Sequence, residues 1–141
     1  MRAHADVARF GAFTRRLPLT EVTVLPMTTA VIGLMLGFGG LQELFVRGIW
    51  NGERQPLLIG AAGTLTGALL LLAALAMWRR WTVWPRLAAF AGAVSVAFHV
   101  YAALPPARIV GVFALLTGVG IGLVLLAQAL RSRESGPHLV R

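Results

Sequence analysis

The stretch that decides the fold runs from Gly67 to Met77, reads GALLLLAALAM and contains no polar side chain. It lies within a longer uncharged run, residues 56–78. A helix of about 20 apolar residues is long enough to span the hydrocarbon core of a bilayer, which is about 30 Å thick. Membrane β-strands alternate in polarity, whereas this run is continuously apolar, so it predicts a transmembrane helix.

Three further runs of the same kind lie on either side of it. The four predicted spans are residues 22–46, 56–78, 82–104 and 108–130. A basic segment, residues 1–21, precedes them as either an interfacial helix or a disordered tail, and a basic tail, residues 131–141, follows. Because the connections are short, neighbouring helices are expected to run antiparallel. The predicted fold is therefore an all-α, integral membrane four-helix bundle.

The composition excludes most soluble chemistry. The chain has 141 residues, of which 57% are hydrophobic and 13% charged, against about 25% charged in an average soluble domain. All 13 basic residues are arginine and there is no cysteine, which excludes lysine Schiff bases, thiol nucleophiles and disulfides. Ser95 and His99 share a helix face, but no acidic residue in that segment orients the histidine. We therefore predict neither an enzyme nor a metal site.

The arginines predict the orientation in the membrane. Ten of the 13 fall in the N-terminal segment, the second loop and the tail: Arg2, Arg9, Arg15, Arg16, Arg79, Arg80, Arg86, Arg131, Arg133 and Arg141. Only Arg47, Arg54 and Arg108 fall on the other side. Positive residues favour the cytoplasmic side of short loops. Both termini are therefore expected in the cytoplasm of a bacterial inner membrane. The charge orients the chain in the lipid bilayer, and we predict no binding to nucleic acid.

Aromatic residues lie near the predicted ends of the spans, where amphipathic rings favour the membrane interface. We interpret them as interfacial anchors, with cofactor stacking by the tryptophans as the alternative. They are Trp50, Trp78, Trp81, Trp84 and Tyr101.

Small residues four apart allow helices in lipid to approach closely. Each span carries such a seam, and the predicted packing residues are Gly33, Gly37, Gly63, Gly67, Ala93, Gly118 and Gly122. The fourth span also has Gly111 and Gly120 on other sides. One seam per helix accounts for a bundle, and the extra glycines leave room for contact with other membrane protein subunits.

Few polar residues lie at membrane depth, where an ionisable group is a functional candidate. Gln42 and Glu43 are near the outer end of the first span, and Arg47 follows Glu43 at the spacing of a same-helix ion pair. The alternative role for Glu43 is proton or cation binding. His99, in the outer half of the third span, could face Glu43.

His99 has two interpretations. It either forms a hydrogen bond inside the bundle or acts as a ligand to haem, chlorophyll or a quinone head group. No other span contains a histidine, so a second axial ligand to a haem would come from water or another subunit. No cofactor is predicted outright.

The segment from Leu34 to Gly48 reads LMLGFGGLQELFVRG, and the second span continues with GALLLLAAL from Gly67. These segments resemble the DoxX family over residues 34–87. The resemblance implies a small four-helix bacterial membrane protein, and some family members are linked to oxidative-stress or respiratory membrane complexes. The family usually has lysine where this chain has Glu43, so any role of that basic residue is lost or altered.

Taken together, these features favour a non-catalytic accessory or scaffold subunit of a bacterial inner-membrane complex, either respiratory or photosynthetic. One alternative is a redox protein that binds a cofactor or quinone through His99. Another is a small proton-coupled transporter, similar in size and helix number to the small multidrug resistance family. That family needs an acidic residue deep in its first helix, whereas Glu21 and Glu43 lie at the two ends of this one.

Overall fold

The structure is a computed structural model that describes residues 18–104 and 111–134. Within these residues the regular structure is entirely helical. The elements are α1 (Pro18–Gln42), a π-helix that continues it directly (Glu43–Trp50), α2 (Arg54–Trp78), α3 (Trp84–Ala103) and α4 (Val112–Glu134). The predicted all-helical chain is thus confirmed for the described part. The predicted interfacial helix before residue 18, Arg108 and the last seven residues of the tail lie outside it.

Four segments are long and apolar enough to cross a membrane, which indicates a multi-pass membrane protein. They are Thr23–Trp50, Arg54–Trp78, Trp84–Ala103 and Val112–Ser132. The first continues beyond the predicted end at residue 46 because the π-helix extends α1 to Trp50. The fourth helix likewise continues past residue 130 to Glu134.

Glycines bring α1 and α2 into backbone contact. A Cβ atom on Gly40 would lie only 2.8 Å from the Gly60 carbonyl oxygen, and a Cβ on Gly67 would lie 2.6 Å from the Gly33 carbonyl oxygen. Gly33 pairs with a later residue of α2 than Gly40 does, so the two helices run antiparallel. Their turn needs Gly52, whose φ of +71° suits glycine far better than other residues.

The helices α3 and α4 form a second close pair. A Cβ on Gly92 would lie 2.6 Å from the Gly122 carbonyl oxygen, and Ser95 bonds to the carbonyl of Gly118, so this pair is antiparallel as well. The contact at Gly92 corrects the prediction for Ala93, which is exposed. One residue turns a helix by about 100°, so the seam of small residues lies on the neighbouring face.

A compact core joins the two pairs near the turn between α2 and α3. Leu36 and Trp84 pack at its edge. The core draws its buried residues from α2, α3 and α4. In the order of helix contacts, α2 and α3 hold the centre, with α1 packed on α2 and α4 packed on α3. The buried members of the core are Leu70, Ala73, Met77, Ala88, Ala91, Ile121 and Leu125.

Candidate functional site

The side chain of His99 is buried in α3, and the residue is 4% exposed. Its ring meets that of Phe98 edge-on, with centroids 5.3 Å apart and an angle of 87° between the planes. On the α4 side it lies against Gly118, where a Cβ atom would collide with the imidazole. The absence of a side chain at Gly118 is therefore what allows the histidine to fit between the helices.

A short chain of hydrogen bonds connects this histidine to both helices. His99 Nδ1 lies 2.8 Å from the carbonyl oxygen of Ser95, one helical turn earlier. The Ser95 hydroxyl donates to the Gly118 carbonyl oxygen across the helix interface at 2.9 Å. A serine hydroxyl can both donate and accept, and Ser95 Oγ lies 3.5 Å from Nδ1. These contacts hold the imidazole in one orientation.

A cleft of about 230 Å³ opens beside His99 between α1 and α4. We call it the α1–α4 cleft. Its walls are mainly apolar, and Met35 and Phe113 at its edges are 72% and 84% exposed. The cleft thus connects a buried imidazole with the surface that would face lipid. Its lining residues are Ile32, Met35, Leu36, His99, Phe113, Ala114, Thr117 and Gly118.

A second cavity of about 280 Å³ shares Met35 and Leu36 with the first, since these two residues line both spaces. Gln42 and Glu43 line this second cavity. The structure therefore places Gln42 and Glu43 in one cavity and His99 in its neighbour, and Arg47 lines neither of the two. It brings Glu43 close to Arg47, and His99 close to Ser95, but it shows no contact between Glu43 and His99.

Glu43 belongs to a small ion-pair network at the end of the first span. Arg47 Nη1 lies 3.5 Å from Glu43 Oε2, and Arg47 Nη2 lies 3.8 Å from Glu53 Oε2. The ion pair predicted from the spacing of Glu43 and Arg47 is thus present. The Arg47 side chain is 49% exposed, so water or lipid head groups can reach and weaken these ion pairs.

The predicted anchors differ in exposure. Trp50, Trp78, Trp81 and Tyr101 are exposed, whereas Trp84 is half-buried against the core. Within the described part of the chain, no group of three metal-binding side chains comes together.

Sequence reasoning missed the bond from Ser95 to α4 and the cleft itself. The four-residue spacing of Ser95 and His99 was the available signal, because polar side chains on one face of a transmembrane helix favour a partner helix there.

No family model, curated protein or solved structure matches this chain. The resemblance to the DoxX family over residues 34–87 therefore stays a prediction.

Proposed function

We propose that this protein is a non-catalytic accessory or scaffold subunit of a bacterial inner-membrane complex, of the respiratory or photosynthetic kind. Almost all of its described residues lie in four apolar helices. The connections between α1 and α2 and between α2 and α3 are only turns. Such a chain offers its partners helix surfaces rather than a folded domain.

The open space beside Gly120 is the observation that supports this proposal most directly. The neighbours of Gly120 in sequence on the α4 seam, Gly118 and Gly122, are needed inside the bundle, because a Cβ on either would collide with α3. A Cβ on Gly120, in contrast, would meet no atom of the described residues within 4 Å. Glycine costs about 1 kcal/mol relative to alanine inside a helix. Packing among the residues that the structure describes does not explain that cost, whereas close approach of a helix from another subunit would.

Gly39 on α1 has the same property, since within residues 18–104 and 111–134 a Cβ there would also meet nothing within 4 Å. It lies at the edge of the second cavity. Two glycines with open space, one on each flanking helix, support contacts with other subunits rather than with lipid alone.

The distribution of arginine supports a location with both termini in the cytoplasm. Arg79 and Arg80 follow the end of α2, and Arg86 lies in the first turn of α3. The turn between α1 and α2 is flanked by two arginines, Arg47 and Arg54. Among the described residues the α2–α3 turn therefore has more arginines than the α1–α2 turn, as the positive-inside rule favours for the cytoplasmic side.

The transporter alternative has less support. A proton-coupled carrier needs a carboxyl group that exchanges its proton at membrane depth. Glu43 instead forms an ion pair with Arg47 at the end of the span.

Co-purification tests the proposal. The tagged chain, extracted from its native membranes in a mild detergent, should carry other membrane proteins in a fixed ratio. Gly120→Leu should reduce their amount about tenfold or more, because a large side chain blocks close helix approach. Ala68→Leu is the control, since Ala68 is exposed on α2 and the same leucine side chain there should change nothing. A chain that purifies alone, or a complex insensitive to Gly120→Leu, would contradict the proposal.

A further inference from the structure

The hydrogen bonds of His99 determine which of its ring nitrogens carries the proton. Nδ1 lies 2.8 Å from the Ser95 carbonyl oxygen. A carbonyl oxygen can only accept, so Nδ1 donates and must be protonated. A neutral imidazole protonated at Nδ1 keeps a lone pair on Nε2. The helix backbone thus prepares Nε2 as a hydrogen-bond acceptor.

Nε2 has no hydrogen-bond partner among the described residues. Every fully buried side-chain nitrogen or oxygen in the same residues does have one. Nε2 must therefore touch open space, and the space that His99 lines is the α1–α4 cleft. An acceptor without a partner in an apolar cavity is unfavourable, so the cleft favours a ligand that brings a donor.

The size and walls of the cleft limit what that ligand can be. Sites for drug-sized molecules usually measure about 300–1,000 Å³, and this cleft measures about 230 Å³. It suits one ring rather than a tetrapyrrole macrocycle. Apolar side chains form most of its lining, and its exposed edges at Met35 and Phe113 leave a path for a hydrocarbon tail into the bilayer.

We propose that the α1–α4 cleft binds the ring head group of a lipid-soluble phenol or hydroquinone, whose hydroxyl donates a hydrogen bond to His99 Nε2. The oxidised quinone has only carbonyl acceptors and cannot make this bond. The reduced form should therefore bind more tightly than the oxidised form. This binding site is separate from the proposed subunit contact, because Gly120 does not line the cleft.

Two matched ligands test the hydrogen bond. The full chain, reconstituted in lipid nanodiscs under reducing conditions, is titrated with a decyl-substituted hydroquinone and with its dimethyl ether by calorimetry. The ether keeps the ring and the tail but lacks the hydroxyl donors. We expect the hydroquinone to bind about tenfold more tightly, the effect of one buried hydrogen bond. Equal affinities for the two ligands would overturn the proposal.

Three substitutions locate the ligand. His99→Phe keeps an aromatic ring but removes Nε2, so the preference for the hydroquinone should disappear. Ala114→Phe should block the cleft from the exposed side of α4 without touching the hydrogen bonds of His99. Ala97→Phe places the same ring on an exposed position outside the cleft and should leave binding unchanged. Binding of the hydroquinone to both cleft variants at wild-type affinity would show that the ligand lies elsewhere.

A nitrogen-15 spectrum of the histidine-labelled protein tests the site without a substitution at His99. In a background of His4→Gln and His138→Gln, the spectrum should show one protonated and one unprotonated ring nitrogen. The unprotonated signal should shift with the hydroquinone and not with the ether. Protonation at Nε2 instead of Nδ1 would overturn the proposal. A Soret absorption band in the purified protein that is lost in His99→Phe would also overturn the proposal, since it would identify a tetrapyrrole as the ligand.

Discussion

The two close helix pairs of this protein are built differently. Between α1 and α2 the contacts are glycine against backbone, as at Gly40 and Gly60, and the nearby Thr64 hydroxyl bonds within its own helix. Between α3 and α4 a serine hydroxyl crosses the interface, and a buried histidine fills the space above Gly118. The contacts described for the first pair are close packing at glycines. The second combines packing with the buried imidazole of His99, whose Nε2 has no hydrogen-bond partner among the described residues.

The largest effect is expected where backbone meets backbone, at Gly40. Gly40→Ala would place a methyl group 2.8 Å from the Gly60 carbonyl oxygen, so α1 and α2 must move apart. We expect a loss of about 2–3 kcal/mol in the free energy of unfolding, measured by SDS titration in mixed micelles.

Its control is the neighbouring residue. Gly39→Ala adds the same methyl group where no atom in the described part of the chain lies within 4 Å, and it should leave the stability unchanged or raise it by up to about 1 kcal/mol. If the two alanine variants lost equal stability, close packing would not be what holds this pair together.

A smaller loss is expected for the polar pair at Gly118. Gly118→Ala forces the His99 ring to move, and a side chain yields more easily than backbone, so we expect a loss of about 1–2 kcal/mol. In the double variant with His99→Ala the space is free again. The loss of stability in the double variant should therefore be smaller than the sum of the two single losses by about 1 kcal/mol or more in the same SDS titration. Additive losses would mean that the ring and Gly118 do not compete for space.

The smallest effect concerns the hydrogen bond between the helices. Ser95→Ala removes the donor to the Gly118 carbonyl oxygen, and bonds of this type contribute about 0.6 kcal/mol on average in membrane proteins. Thr66→Val is the comparison, because the buried Thr66 hydroxyl bonds only to the Ala62 carbonyl oxygen of its own helix. We expect Thr66→Val to change the unfolding free energy by less than Ser95→Ala does. The reverse order would remove the distinction between the two helix pairs.

The spans were predictable from sequence because a continuous apolar run has few other stable arrangements in a bilayer. The close approach at Gly33 and Gly67 was predictable for a similar reason, since adjacent helices with small residues four apart can pack closely. The face of α3 that packs inward was not predictable from sequence, and the seam of small residues lies at Gly92 instead of Ala93. A membrane helix is apolar on every side, so hydrophobicity does not mark which face is buried.

The cavity beside His99 was beyond prediction for a different reason. The cavity depends on the position of α1 relative to α4. The direction of the free Nε2 depends on the hydrogen bond from Nδ1 to the Ser95 carbonyl oxygen. Both are properties of packing between helices distant in sequence. Sequence reasoning could identify His99 as a candidate, but the direction of its free nitrogen required the folded arrangement.

The π-helix from Glu43 to Trp50 has a consequence for the loss of a residue. Hydrogen bonds between residues five apart close a wider turn than those of an α-helix, so each residue of this segment turns the chain by less than the about 100° of an α-helix. Deleting one residue such as Val46 and returning the segment to an ordinary α-helix therefore change the rotational phase in opposite directions, and the two changes largely cancel. Gly48, where even a Cβ would lie 2.7 Å from the Leu57 Cα, should then still face α2. The end of the first span should therefore tolerate the loss of one residue better than the α-helical part of the same span.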